Sequence, residues 1–200
     1  MNISNISIGE QGTIFIVDIS GYTNFVKETE HAIGMIVVSQ LLEEIVSANR
    51  LSFQISEVEG DAILFYRYGE PYPVQIMLRQ FEYMLKAFRR RVAELLQCAV
   101  SLPSLSIKSV THYGEIGQFR VGDFKKLYGK AVIEAHRLLK NEVHQDTYSL
   151  ITEQYLENSS DRAGILTDGF QSCERYDIGK LCYTYFPYSG NFDQQLLVKC

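Results

Sequence analysis

Residues 13–19 read TIFIVDI, an almost unbroken run of apolar and β-branched side chains that ends at the polar turn Ser20-Gly21. A run of this kind is typical of a central β-strand whose two faces are both covered. It predicts that the chain folds around a sheet, with Asp18 near the carboxyl end of the strand. An aspartate in that position either caps the turn into a following helix or binds a ligand, and the run alone leaves both open.

Helix and strand patterns alternate after this strand. Apolar residues recur at helical spacing over about 28–49 and again over 77–96, which predicts two long helices that cover the sheet. Between them, residues 51–58 and 62–68 predict two strands joined by a tight hairpin. Asp61 falls at the glycine-containing turn of that hairpin.

The rest of the chain predicts smaller elements. Strands are predicted at 105–113, 147–152 and 181–186, and a third helix begins near Gly129 after a hairpin punctuated by glycines. The order is β-α-β-β-α-β followed by a helix and short strands. The predicted fold class is therefore α+β, with a ferredoxin-like βαββαβ core and an extra C-terminal helix and strands, in one domain over residues 1–200.

Composition and charge exclude several classes of function. The 200-residue chain is 46% hydrophobic, carries a net charge of −5 and disperses its basic residues apart from Arg89-Arg90-Arg91, so neither nucleic acid nor a membrane is an expected partner. No signal-peptide pattern and no membrane-span run occurs, which predicts a soluble, cytoplasmic protein. The four cysteines, Cys98, Cys173, Cys182 and Cys200, show no CxxC spacing, so we expect thiols in a reducing compartment and neither a zinc site nor a disulfide.

Two aspartates stand out because each closes a strand at a turn that contains glycine: Asp18 in VDISGYTNF and Asp61 in EVEGDAILF. In a ferredoxin-like core the first strand and the hairpin lie side by side, so these carboxylates can approach each other. Paired carboxylates hold Mg²⁺, which prefers oxygen ligands and shares them with substrate phosphates, and the backbone carbonyl of Ile19 would add a ligand. Each aspartate taken alone is more often a turn or cap residue.

Four segments of the sequence, in this order, resemble the catalytic domain of class III adenylate and guanylate cyclases. TIFIVDISGYTNFV resembles their first metal-binding strand and SEVEGDAILFY their second, while THYGEIG and LYGKAVIEAHRLL resemble the later strand and the helix that carries an arginine. The resemblance runs from about Thr13 to Asn141. The sequence is more similar still to a set of small stand-alone bacterial cyclase-like proteins, described as a domain of unknown function, with which it shares the EGDA-FY, HYGE and HRLLKN patterns. It implies a head-to-tail homodimer with two equivalent composite sites at its interface.

The resemblance also assigns roles to single residues. Asp18 and Asp61 match the aspartates that bind two Mg²⁺ or Mn²⁺ ions, with the carbonyl of Ile19 beside them. Arg137 matches the arginine that stabilises charge developing on the phosphates, and Lys180, placed only with a gap, resembles a second phosphate-binding cation. Such a site joins the ribose 3′-oxygen to the α-phosphorus of a nucleoside triphosphate and releases pyrophosphate.

Two further positions bear on the choice of base. Glu57 falls where guanylate-type enzymes have a glutamate, and Lys126 stands where adenylate-type enzymes have an aspartate. A carboxylate accepts from the N1–H and N2–H₂ edge of guanine and an ammonium donates to O6, so the pair favours GTP over ATP, and uracil also fits in part. The alternative that stays open is an interfacial salt bridge between the two residues that binds no ligand.

One departure from the resemblance concerns the ribose. Ile133 stands where active cyclases carry an asparagine one helical turn before the arginine, and it can neither donate nor accept a hydrogen bond. On spacing alone, Arg137 would belong to the solvated face of an amphipathic helix. Two hypotheses therefore follow: a nucleotidyl cyclase acting on a nucleoside triphosphate, and a catalytically inactive homologue that serves as a nucleotide-binding sensor or dimeric scaffold.

Overall fold

An eight-stranded sheet runs through the residues that the computed structural model describes, 6–97, 104–160 and 169–188. In chain order the elements are β1 (Ile6–Ser20), α1 (Tyr22–Glu28), α2 (His31–Ser47), β2 (Gln54–Glu59), β3 (Ala62–Tyr68), α3 (Val74–Gln97), β4 (Ser106–Val121), β5 (Phe124–Tyr128), α4 (Lys130–Leu138), β6 (Tyr148–Thr152), α5 (Glu153–Asn158), β7 (Phe170–Tyr176) and β8 (Gly179–Pro187). The strand order is β2-β3-β1-β4-β6-β8-β7, with β5 paired to β4. No helix among these described elements is long and apolar enough to cross a membrane.

Four strands form the predicted ferredoxin-like core. β1 pairs antiparallel with β3 on one side and with β4 on the other, and β2 pairs antiparallel with β3. Helices α1 and α2 connect β1 to β2, and α3 connects β3 to β4, so the order βαββαβ and the α+β fold class are confirmed. β6 then pairs parallel with β4 and extends the sheet toward β8 and β7.

Strand β1 is buried on both faces, which is why its central run contains so few polar side chains. Phe15 and Val17 point to one face, where they pack in the core cluster that also contains residues of α1, α2 and α3. Ile16 points to the other face and packs with Ala131 and Ala135 of α4. Successive side chains of a strand alternate between the two faces of the sheet, so the apolar residues of β1 are divided between two core clusters. Each fully buried Ile, Val or Phe contributes about 1.5–3 kcal/mol relative to an exposed one.

A glycine and a capping carboxylate set the start of the helices that follow β1. Gly21 has a φ of 87°, and a Cβ there would lie 2.5 Å from the carbonyl oxygen of Ser104, so glycine is needed for β1 to turn directly into α1. Glu30 accepts hydrogen bonds from the backbone N–H groups of Ala32, at 3.1 Å, and Ile33, at 3.0 Å. These two bonds satisfy donors at the start of α2 that have no partner inside the helix.

Strand β7 is absent from the elements that the sequence predicts. Its sequence, FQSCERY, is mostly polar, and its side chains are exposed or half-buried along the whole strand. Among the strands that the structure describes, it lies at the edge of the sheet and pairs with β8 alone. An edge strand of this kind leaves too weak an apolar pattern to be recognised locally. Residues 161–168, in the polar stretch before it, lie outside the described residues.

The expectation that all cysteines are thiols is wrong for one pair. Cys173 and Cys182 form a disulfide, and they stand directly opposite each other on β7 and β8. Without β7 the sequence offers no reason to bring them together, because their spacing matches no disulfide or metal motif. Cys98 and Cys200 lie outside the described residues.

Substitution Ile16→Ala tests the buried position of β1. Ile16 is 1% exposed, so removal of its side chain leaves a cavity and is expected to lower the free energy of unfolding by about 2–5 kcal/mol. Urea denaturation of the purified chain measures the change. Val26→Ala, at a position of α1 that is 52% exposed, is the control and should change the free energy of unfolding by less than about 0.5 kcal/mol. Equal effects of the two substitutions would contradict the central place of β1.

Candidate functional site

The carboxylates of Asp18 and Asp61 lie side by side at one end of the sheet. Asp18 is paired in register with Ala62, the first residue of β3, and the backbone N–H of Ile19 donates to the carbonyl of Asp61 over 3.2 Å. Gly60 makes the hairpin turn with a φ of 60°. The two aspartates line the same cavity. The structure thus brings together the residues that the sequence singled out as metal ligands, a role that stays a prediction.

Burial controls the protonation of this pair. It raises the pKa of Asp61 to about 6, with the negative charge of Asp18 as the second cause. Burial also raises the pKa of Asp18, although the neighbouring Lys108 ammonium acts in the opposite direction. At neutral pH two carboxylates therefore share a partly buried space, and a cation placed between them would be stabilised by both charges.

Lys108 is a residue of this site that no sequence motif singled out. It lies on β4 directly opposite Asp18, and its Nζ is 3.3 Å from Oδ2 of Asp18 and 3.3 Å from the carbonyl oxygen of Leu139. Its side chain is 22% exposed, so the ammonium lies at the edge of the site and can reach an anion. Within the predicted strand 105–113 it is one polar side chain among several, and nothing in the sequence shows that Asp18 lies opposite it.

A cavity of about 380 Å³ opens beside the two aspartates. Its lining includes Lys108, Asn141 and Tyr148 in addition to Asp18 and Asp61. The carboxylate, amide and phenol oxygens among these side chains suit a hard cation such as Mg²⁺ or Mn²⁺. Over residues 6–97, 104–160 and 169–188, no cluster of three or more His, Cys, Asp or Glu side chains is placed to hold a metal. The two carboxylates of Asp18 and Asp61 suit an ion that keeps several water molecules and shares substrate phosphates as ligands, as Mg²⁺ does.

Arg137 is held by a carboxylate of its own chain. It lies in the last turn of α4 and makes a bidentate ion pair with Asp177, Nε to Oδ1 at 2.9 Å and Nη2 to Oδ2 at 2.8 Å. Asp177 sits in the turn between β7 and β8, close in sequence to Lys180 at the start of β8. Neither Arg137 nor Lys180 lines the cavity of the two aspartates. Within one chain, the structure does not unite the predicted phosphate-binding residues with the predicted metal ligands.

A buried network fixes the helix that carries Ile133 and Arg137. His112 of β4 is 1% exposed. Its Nδ1 lies 3.0 Å from Oγ1 of Thr152, and its Nε2 lies 3.2 Å from Oε2 of Glu134. The hydrogen bond with His112 is the main cause of the lowered pKa of Glu134. Glu134 is thereby engaged inside the protein, whereas Ile133 is 48% exposed. An exposed apolar side chain therefore stands where the resemblance expects an asparagine.

Glu57 and Lys126 form a salt bridge within the chain. Glu57 lies on β2 and Lys126 on β5, and their hydrogen bond raises the pKa of Lys126. His136 of α4, to which the sequence analysis assigned no role, lies beside the pair with its Nε2 3.9 Å from Oε1 of Glu57. The contact forms without a second copy of the chain. Its role toward a nucleotide base stays a prediction.

A family model described as a protein of unknown function, DUF2652, matches residues 38–148. The uncharacterized protein Rv2561/Rv2562 of Mycobacterium tuberculosis is 32% identical over 123 residues, which cover 58% of this chain and 57% of that protein. The chain therefore spans less than two thirds of the length of this relative.

Solved structures of cyclases share the fold. The adenylyl cyclase CyaB from P. aeruginosa has a TM-score of 0.66 and 15% sequence identity, over 94% of this chain and 98% of that chain. The guanylyl cyclase Cya2 has a TM-score of 0.67 and 15% identity, over 94% of this chain and 98% of that chain. At such identities the likeness establishes the fold alone. Because the family model matches more than half of the sequence, the chain belongs to the DUF2652 family of proteins of unknown function, and it has the fold of adenylyl and guanylyl cyclase catalytic domains.

Proposed function

We propose that the chain is a nucleotidyl cyclase that works as a homodimer. It converts a nucleoside triphosphate, GTP in preference to ATP, into a 3′,5′-cyclic nucleotide and pyrophosphate. The observation that carries the proposal is the pair Asp18 and Asp61, placed together beside Lys108 in a polar cavity. The cyclase fold of the structural neighbours supports it.

The residues of the cavity hold the triphosphate. Asp18, Asp61 and the carbonyl of Ile19 would bind two Mg²⁺ or Mn²⁺ ions, which when present stabilise phosphate charge and favour loss of the proton from the 3′-hydroxyl. Lys108, with its Nζ 3.3 Å from Asp18, is close enough to donate to a phosphate oxygen that enters the cavity.

The other half of the site comes from the second copy. Cyclisation forms the bond between the 3′-oxygen and the α-phosphorus, breaks the bond to the β-phosphate and releases pyrophosphate, while the hydroxyl proton passes to water. Arg137 of the partner subunit stabilises the charge that develops on the phosphates, and Lys180 of the partner subunit adds a second cation. Because Ile133 gives the ribose no hydrogen bond, we expect slower turnover than in a site that positions the ribose as well as the phosphates.

Glu57 and Lys126 select the base in this proposal. A guanine edge can enter their salt bridge and leave both charges hydrogen-bonded, because the carboxylate accepts from N1–H and N2–H₂ while the ammonium donates to O6. Adenine presents the opposite pattern at these positions, with the N6–H₂ donor facing the ammonium and the N1 acceptor facing the carboxylate, and this mismatch disfavours ATP. GTP is therefore the preferred substrate.

Asp61→Ala is expected to abolish formation of the cyclic product. With Mn²⁺ and each of GTP, ATP, CTP and UTP, product chromatography should show cyclic GMP as the main product of the wild type. The variant should be at least about 100-fold slower, because a carboxylate that holds the catalytic cation is missing. Glu43→Ala, on the exposed side of α2, is the control and should keep the full rate. An unchanged rate in Asp61→Ala would contradict the two-metal mechanism.

The absence of product from all four triphosphates would instead support the inactive homologue. Thermal melting then separates its two forms, because a ligand that binds only the folded state raises the melting temperature by mass action. A nucleotide-binding sensor should melt at a higher temperature with GTP and Mn²⁺. An inert scaffold should not.

Asp61→Asn is expected to stabilise the metal-free fold at about pH 8. The pKa of Asp61 is about 6 in the folded chain and about 3.9 in an unfolded one, so the folded state binds the proton more tightly and loses stability as pH rises through this window. Because Asp61 is only half-buried, solvent reduces the effect to about 1 kcal/mol. Thermal melts should show equal stability at about pH 4 and a more stable variant at about pH 8. If the wild type were more stable than Asp61→Asn at the higher pH, the expectation would be contradicted, because the ionised carboxylate of Asp61 would then be stabilised by its surroundings in the folded state.

Asp177→Asn is expected to release Arg137 for the nucleotide. The carboxylate of Asp177 competes with phosphate for the same guanidinium. Because exposed ion pairs are weak, the affinity for GTP with Mn²⁺ should rise by up to about fivefold in calorimetric titration. Arg137→Ala should abolish this gain, and Glu43→Gln is the neutral control. A lower turnover with unchanged GTP affinity in Asp177→Asn would contradict the expectation and show that Asp177 orients Arg137.

A further inference from the structure

Positive charge is concentrated in one groove of a chain whose net charge is −5. This α2–α3 groove lies between the C-terminal end of α2 and the middle of α3, and its volume is about 790 Å³. Four cations and one carboxylate line it: Arg50, Lys86, Arg89 and Arg90, with Glu44. Glu44 pairs with Arg90 over 2.8 Å. The groove therefore keeps an excess of positive charge.

The floor of the α2–α3 groove is apolar. Three small residues, Ala48, Ala87 and Ala93, keep it open, and the side chain of Tyr83 is 41% exposed beside them. The guanidinium of Arg50 lies 3.8 Å above the centre of the tyrosine ring, a cation–π contact that sets a charge next to an apolar surface. The groove thus combines an aromatic anchor and an apolar centre with a charged rim, as protein interfaces do.

The loop that carries Arg50 is held in place from within the protein. Gln80 of α3 is 1% exposed, and its side-chain oxygen accepts from the backbone N–H of Arg50 at 2.9 Å and of Leu51 at 3.2 Å. Its side-chain nitrogen donates to the carbonyl of Ala48 at 2.8 Å. These bonds fix the backbone of Arg50 relative to α3. A groove whose walls are fixed in advance binds a partner with a smaller loss of conformational entropy.

The α2–α3 groove lies on the far side of the sheet from Arg137. Helices α2 and α3 pack on the face lined by Phe15 and Val17, whereas α4 packs on the opposite face through Ala131 and Ala135. A homodimer that uses the α4 face leaves the groove open to solvent. The groove can therefore receive a different molecule while the candidate site is occupied.

We propose that the α2–α3 groove binds an acidic, amphipathic helical segment of another protein. The carboxylates of that segment pair with Arg50, Lys86 and Arg89, and its apolar side chains rest on Tyr83 and the alanine floor. A small inorganic anion would use the cations but not the apolar floor, and a flat lipid surface would not enter the groove. Charge and shape together therefore favour a peptide chain. The inference does not rest on cyclase activity.

A synthetic helical peptide of Glu, Leu and Ala, with its leucines along one face, tests the proposal on the full chain. Fluorescence anisotropy should show saturable binding to the wild type. Lys86→Glu combined with Arg89→Glu should weaken binding at least about tenfold, because two attractive charges become repulsive, and Tyr83→Ala should weaken it at least about fivefold. Arg120→Glu combined with Lys125→Glu, on the exposed β4–β5 hairpin, is the charge-matched control and should leave binding unchanged.

Circular dichroism melts establish that each variant is folded before it is titrated. No binding to the wild type, or equal weakening by the control pair, would overturn the proposal. Equal binding of a peptide with the same composition and scrambled leucines would reduce the effect to diffuse charge attraction. Displacement of the helical peptide by an equal concentration of inorganic tripolyphosphate would show a small-anion site in its place.

Discussion

The approach of two carboxylates at the end of a strand buried on both faces is the constraint on which the rest of the site depends. Asp18 is held in place because the neighbouring side chains of β1 are locked into core clusters on either side of the sheet. The β2–β3 hairpin then carries Asp61 to it through the register of β3 with β1. Burial disfavours the ionisation of both carboxylates; the charge of Lys108 opposes this at both, and at Asp18 it is joined by a hydrogen bond. A divalent cation with its phosphate ligands would oppose the effect of burial at both.

The second constraint is the attachment of α4. The buried contact between His112 and Glu134 holds this helix against β4. Ile133 and Arg137 therefore lie on the side of the helix that faces solvent. Arg137 then reaches the β7–β8 turn of its own chain and not the cavity of the aspartates. A site that needs both the aspartates and the arginine therefore needs two copies of the chain, which is the physical reason for the proposed homodimer.

Local patterns in the sequence predicted the core because a strand covered on both faces and long amphipathic helices both leave strong periodicities. The juxtaposition of Asp18 and Asp61 was also predictable, since Asp18 lies near the end of β1 and Asp61 lies in the turn that leads into β3, the neighbour of β1 in a βαββαβ core. Lys108 was not, because its approach to Asp18 depends on the register of two strands distant in sequence. The disulfide between Cys173 and Cys182 was missed together with β7, whose polar sequence resembles a loop.

The number of Mn²⁺ ions bound with a non-hydrolysable GTP analogue shows whether Asp18 and Asp61 form a two-metal site. Electron paramagnetic resonance of the purified chain, titrated with Mn²⁺ at saturating analogue, gives the number of ions per bound nucleotide. We expect two Mn²⁺ ions per nucleotide in the wild type, and loss of this binding in Asp18→Asn. Nucleotide bound with one ion or none, or two ions retained in Asp18→Asn, would contradict this expectation.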